Sequence, residues 1–99
     1  MDYEIVFGQR ALDGLPDWIP EAVVAELERE CDFLRADPVN RSQRISAVEQ
    51  ALSPTMRCGQ KYAFACRHQG RTFHFVIYFY YRDNEHDLHV YDVEMTWEA

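Results

Sequence analysis

The side chains able to do chemistry gather in the second half of the chain. His68, His74, His86 and His89, the tyrosines Tyr78, Tyr80 and Tyr91, and the cations Lys61, Arg67, Arg71 and Arg82 all lie between positions 61 and 91. Imidazole and phenol groups serve as general acids and bases, while Lys and Arg neutralise phosphate or a developing oxyanion. His74, Tyr78, Tyr80 and Tyr91 could share one face of a sheet, as a stacking platform or an acid–base group, against the plainer reading of sheet packing with hydroxyls at the rim. Lys61, Arg57, Arg67 and Arg71 cluster in sequence and could bind a phosphate or an acidic partner, against the plainer reading of a solvated rim.

Two other constellations carry less. Cys66 and His68 point to one face of a strand, but the pleat holds such neighbours ~6–7 Å apart, too far for a thiolate–imidazole pair. Zinc would need four of Cys58, Cys66, His68, His74, His86 and His89 to converge, and no CxxC or HxxxH pairing supports it. We therefore expect no metal site, and nothing in the sequence calls for a cofactor.

These groups must be positioned by a small scaffold. The 99 residues, 47% hydrophobic, suffice for one core, so residues 1–99 read as a single domain. No stretch approaches eighteen consecutive apolar residues, and the start, MDYEIVFGQR, has no basic leader, so no membrane association is expected and the default location is the cytoplasm. Three irregularly spaced cysteines fit reduced thiols. A net charge of −7 opposes binding to nucleic-acid backbones, and no direct DNA binding is expected.

Residues 2–8 alternate as a short strand ended by Gly8. QRALDGLPDW reads as a connection, with Gly14 and Pro16 marking its turn, Asp17 as the N-cap of a helix and Pro20 in its first turn. From Trp18 to about Leu34, Val23, Val24, Leu27, Cys31 and Leu34 follow helical spacing, with acids on the remaining face. Asp37-Pro38 stops this helix. Ser42 is placed to cap a second one, with Ile45, Val48 and Leu52 on one face and Ser53-Pro54 closing it, so the two form an antiparallel hairpin.

From Lys61 the period becomes two. Tyr62, Phe64 and Cys66 form one strand, Phe73, Phe75, Ile77 and Phe79 a second, and His86 to Thr96 a third in which Leu88 and Val90 alternate with His89, Tyr91, Val93 and Met95. The order is β-α-α-β-β-β. An α+β fold follows: an antiparallel meander with the N-terminal strand at an edge, the helix hairpin on one face and the other face partly open.

This element order, the Leu-Pro turn opening the first helix, the Asp-Pro ending it, and YAFACRHQGRTFHFVIYFYYRDNEHDLHVYDV, with Gly70 followed by aromatics and Val76-Ile77-Tyr78, together resemble the RelE/ParE superfamily of bacterial toxins. The resemblance spans nearly the whole chain. It implies the toxin-like component of a type II toxin–antitoxin system, an antitoxin-like protein partner, and ribosome-dependent cleavage of mRNA. Cleavage requires a base for the ribose 2′-OH, cations for the phosphate and an acid for the leaving oxygen. On this chain the resemblance nominates His74, Arg82 and Tyr91 as catalytic, and Arg67, Arg71 and Lys61 as substrate-binding.

The chain departs from the pattern. His74-Phe75 stand where these toxins commonly have tyrosine-arginine, Ala63 and Ala65 where arginines are frequent, and Thr96-Trp97-Glu98 replaces a basic terminus. Two expected cations are thereby lost, which leaves enzymatic activity open. The alternatives are a catalytically silent protein-binding module and a gyrase-directed, ParE-like toxin.

Overall fold

A computed structural model describes residues 2–44, 59–82 and 84–98. The elements are β1 (Glu4–Phe7), α1 (Gln9–Asp13), α2 (Glu21–Ala36), α3 (Pro38–Arg41), β2 (Gln43–Arg44), β3 (Gln60–His68), β4 (Arg71–Arg82) and β5 (Asp87–Glu98). The strands form one sheet in the order β1-β5-β4-β3-β2. β3, β4 and β5 make the expected antiparallel meander, and β1 joins its edge parallel to β5, with Ile5 opposite Leu88 and Phe7 opposite Val90. The α+β architecture expected from the sequence is present, with three short elements added to it.

The first addition is α1. The segment QRALD, expected to be a connection, is a short helix. The Gly8 amide donates to the Val90 carbonyl at 2.8 Å, which holds the chain at the sheet edge as it turns, and Ala11 is then buried against the core. Gly14 closes the turn because a Cβ there would stand 2.9 Å from the Val93 carbonyl oxygen.

α2 begins later than its apolar pattern suggests. Ile19 precedes Pro20 and is pushed away from helical backbone, so the helix opens at Glu21 and Pro20 occupies the N-cap position rather than the first turn. The Pro20 carbonyl accepts from the Val23 and Val24 amides, and Asp17 plays no capping part. At the other end Asp37 terminates α2, as expected. It also starts α3, accepting from the Asn40 amide, with Pro38 pre-set for the first helical position.

Ser42 does not open a helix. Its hydroxyl lies against the Pro38 carbonyl and 3.1 Å from Gln60 Oε1, and the next two residues pair with β3 as β2. Ile45, Val48, Leu52, Ser53 and Pro54, the remainder of the expected second helix, lie outside the described residues, as do Arg57 and Cys58.

Val23, Leu27, Cys31 and Leu34 of α2 form one core with Phe73, Phe75, Ile77 and Phe79 of β4 and Leu88, Val90 and Val93 of β5. Each fully buried large side chain contributes ~1.5–3 kcal/mol relative to leaving it in water. Val24, counted with this apolar set from its spacing, is instead exposed. The β3–β4 turn is made by Gln69 and Gly70, both with positive φ (50° and 79°), the twist a two-residue antiparallel hairpin requires.

Candidate functional site

The face of the sheet opposite α2 carries β4 residues of even number. Cross-strand pairing puts Lys61 opposite Tyr78, Tyr80 opposite His89 and Arg82 opposite Asp87. A β-bulge then changes the phase of β5. Tyr78 pairs with Asp92 and Phe79 with Val90, so Tyr91 is the extra residue. A bulge re-aims a side chain at the cost of one unpaired residue. Here it puts Tyr91 against the rings of Tyr78 and Tyr80, each with centroids 6.4 Å away. It also returns Val93 and Met95 to the core side, whereas strict alternation would have kept them with His89 and Tyr91.

Asp87 is the anchor of this end. It is a buried carboxylate that accepts from Arg82 through both Nε, at 2.9 Å, and Nη2. The same Oδ2 lies 3.0 Å from His89 Nε2. An ionised carboxylate only accepts, so Nε2 carries the hydrogen and Nδ1 is the acceptor of the neutral ring. The hydrogen bonds from Arg82, followed by that from His89, outweigh burial and hold the Asp87 carboxyl down to about 2; the same pairing raises the Arg82 guanidinium further above its ordinary value.

The His89 ring stacks on Tyr80, with centroids 4.9 Å apart and planes 7° off parallel. The Tyr78 hydroxyl donates to Glu94 at 3.1 Å, and Arg10 Nη2 stands 3.8 Å from Asp92 Oδ2. Between β5 and the β1–α1 turn lies a cleft of about 310 Å³, lined among others by Gly8, Arg10, Tyr80, His89, Tyr91 and Asp92. It therefore holds an imidazole oriented by a carboxylate, phenol groups and a cation, the group types of acid–base catalysis.

No family model matches the sequence, and no curated protein matches it. Among solved structures, a chain of the toxin–antitoxin complex RelBE2 from Mycobacterium tuberculosis superposes with a TM-score of 0.61 over 97% of this chain and 100% of that one, at 16% identity. The fold is RelE-like.

On this RelE-like sheet the residues nominated from the sequence fall in three places. Arg82 and Tyr91 belong to the Asp87 end, and Lys61 sits beside them opposite Tyr78. His74 is on the same face but eight residues along β4 from Arg82, roughly 26 Å at a strand's rise. It lies 3.1 Å from Glu98 Oε1, and Arg67 is close by, paired with Thr72 on the same face. Arg71 is on the opposite face, its guanidinium 4.9 Å above the Trp97 ring. His74 and Arg82 thus cannot act on one bond together.

Asp87, Glu94, Arg10 and Asp92 were not singled out from the sequence as site residues, whereas Tyr80 was, as part of the tyrosine set of the open face. Asp87-Leu88-His89 does carry a signal, a carboxylate and an imidazole at period two, facing Tyr80 and Arg82 once the hairpin register is known. Arg10 carries none, because its segment reads as a connection. Among the described residues no group of three or more His, Cys, Asp or Glu is placed to hold a metal, and no helix is long and apolar enough to cross a membrane.

Proposed function

We propose that this chain is the toxin-like member of a toxin–antitoxin pair and is held by an antitoxin-like protein partner. The observation that carries this reading is the RelE-like fold, shared over 97% of this chain with a structural neighbour whose structure is itself a toxin–antitoxin complex. For the activity we infer cleavage of mRNA on the ribosome. His89, held by Asp87, serves as the base for the ribose 2′-OH, Tyr91 as the acid, and Arg10, Lys61 and Arg82 as the phosphate-facing cations. His74 and Arg67, at the far end of the same face, serve to hold the strand away from the reacting bond.

A second reading, a silent partner-binding module, is favoured by one feature. Two cations of the open face are already matched, Arg82 by Asp87 and Arg10 by Asp92, and Glu94, beside Tyr78, and Glu98, beside His74, add negative charge along the same face. Translation extracts programmed with a defined mRNA separate the readings. Cleavage within ribosome-bound message supports the first; intact message together with partner binding supports the second. Inhibition of gyrase supercoiling with message intact would reassign the target.

A further inference from the structure

On the α2 side of the sheet an apolar groove runs between α2 and the β1–α1 segment, on the opposite face from the tyrosine cluster. Its volume is about 430 Å³, with Ile77 and Val93 at its floor, Ile5 and Phe7 on one wall, and Val24 and Leu27 on the other. Phe7 (40% exposed) and Val24 (37% exposed) stand at its mouth. Large apolar side chains left open beside a core are a mark of an interaction site.

The rim decides what fits. Val24, Glu28, Asp32 and Arg35 recur at helical spacing along the α2 edge of the groove. Arg35 is committed: its Nε donates to the Tyr3 carbonyl at 2.9 Å and its Nη1 lies 3.5 Å from Asp32. Glu28 has no ion pair among the described residues, and most of Asp32 remains exposed. The Cys31 thiol in the groove wall reports the same field: burial, then Asp32, Glu28 and Glu30, push it up to about 11. A second copy of this chain would bring an identical acidic rim and a net charge of −7, so like charges oppose self-association here.

We propose that this groove receives an amphipathic segment of a separate, cationic partner, whose apolar side chains fill it and whose Lys or Arg side chains pair with Glu28 and Asp32. Identification of that partner as the antitoxin rests on the toxin–antitoxin reading above; the charge and shape of the segment do not. Cationic side chains at the rim select the partner and its register, while the apolar groove supplies most of the burial.

The test uses the full chain and two labelled synthetic peptides of about 20 residues with the same Leu/Ile face, long enough for a stable helix, one bearing Lys and Arg on the polar face and the other Glu. Fluorescence anisotropy should show the cationic peptide binding at least ~10-fold more tightly, a gap of ~1.4 kcal/mol. Glu28→Lys should erase that preference, Glu28→Lys with Asp32→Lys should invert it, and Val24→Arg should abolish binding of both peptides. Glu85→Lys, with the same change in net charge but in the β4–β5 turn and outside the groove lining, should leave the preference intact. Equal binding of the two peptides, no binding of either, or equal effects of Glu28→Lys and Glu85→Lys would overturn the proposal. Growth arrest is not read in this experiment, so its failure leaves the toxin reading standing, and loss of the toxin reading leaves the groove's preference standing.

Discussion

His89 Nε2 lies 3.0 Å from Asp87 Oδ2, two residues earlier on the same strand and on the same face of the sheet. Because Arg82, on the neighbouring strand, donates to both oxygens of that carboxylate, the imidazole is oriented by groups outside the cleft it faces. A positioned base with a defined tautomer is what an acid–base site requires.

Asp87 makes acid stability sensitive to this pairing. Its folded value, about 2, lies below the ordinary 3.8, so the stabilisation is complete above pH 4 and is lost as pH falls from about 4 towards 2. Asp87→Asn should therefore be less stable than the wild type at pH 7 and show a shallower loss of stability over that acid window. Urea unfolding at pH 7, 4 and 2.5 measures this. Parallel acid profiles for the two proteins would contradict it.

If the chain cleaves message, the two ends of the open face should differ. His89→Ala and Tyr91→Phe should reduce cleavage by ~10²–10⁴-fold, the usual range for a lost acid or base. His74→Ala should change the rate only modestly, because His74 stands roughly 26 Å from Arg82 along β4. Primer-extension mapping of cleaved message with matched protein concentrations checks both. Equal losses at the two ends would count against the assignment.

Much of the scaffold was legible in the sequence, because each main element carries one dominant period. Phe73, Phe75, Ile77 and Phe79 alternate without interruption, and Val23, Leu27, Cys31 and Leu34 keep helical spacing, so the meander and α2 follow directly. Boundaries slipped where backbone chemistry overrode side-chain pattern, as at Pro20. α1 was hidden because a helix this short has too few residues to show a period, and its reason for existing is tertiary, the bond from Gly8 to Val90. The site was half legible: the histidines and tyrosines were visible as residue types, but the bulge at Tyr91 and the Asp87 contacts depend on register, which alternation alone cannot supply.

The core should respond in proportion to its packing. Phe75 is 1% exposed and stacked on Phe64 at 5.1 Å. Phe75→Ala should cost ~3–5 kcal/mol by loss of transfer free energy and opening of a cavity. For a domain of this size that corresponds to a fall in Tm of ~12 °C or more. Calorimetry decides it, and a fall of only a few degrees would mean that the core closes over the gap.

The cysteines should differ in reactivity. Burial pushes both Cys31 and Cys66 thiols up, Cys31 to about 11, and Cys31 is also the more buried. In a Cys58→Ser background, alkylation at pH 8 should modify Cys66 on the order of 10-fold or more faster than Cys31, since the thiolate is the reacting form. Above pH 9 the raised Cys31 value works against the fold, because the unfolded chain ionises first and stabilisation declines from pH 9 towards 11. Mass spectrometry of timed alkylation reads the order; faster modification of Cys31 would show that α2 opens readily.

The most direct test of the central claim is induced expression of the full chain in bacteria, with colony formation and protein synthesis followed over time. A toxin-like protein should halt both, and co-expression of its partner should restore them. Unaffected growth and synthesis at high levels of folded protein would contradict the account.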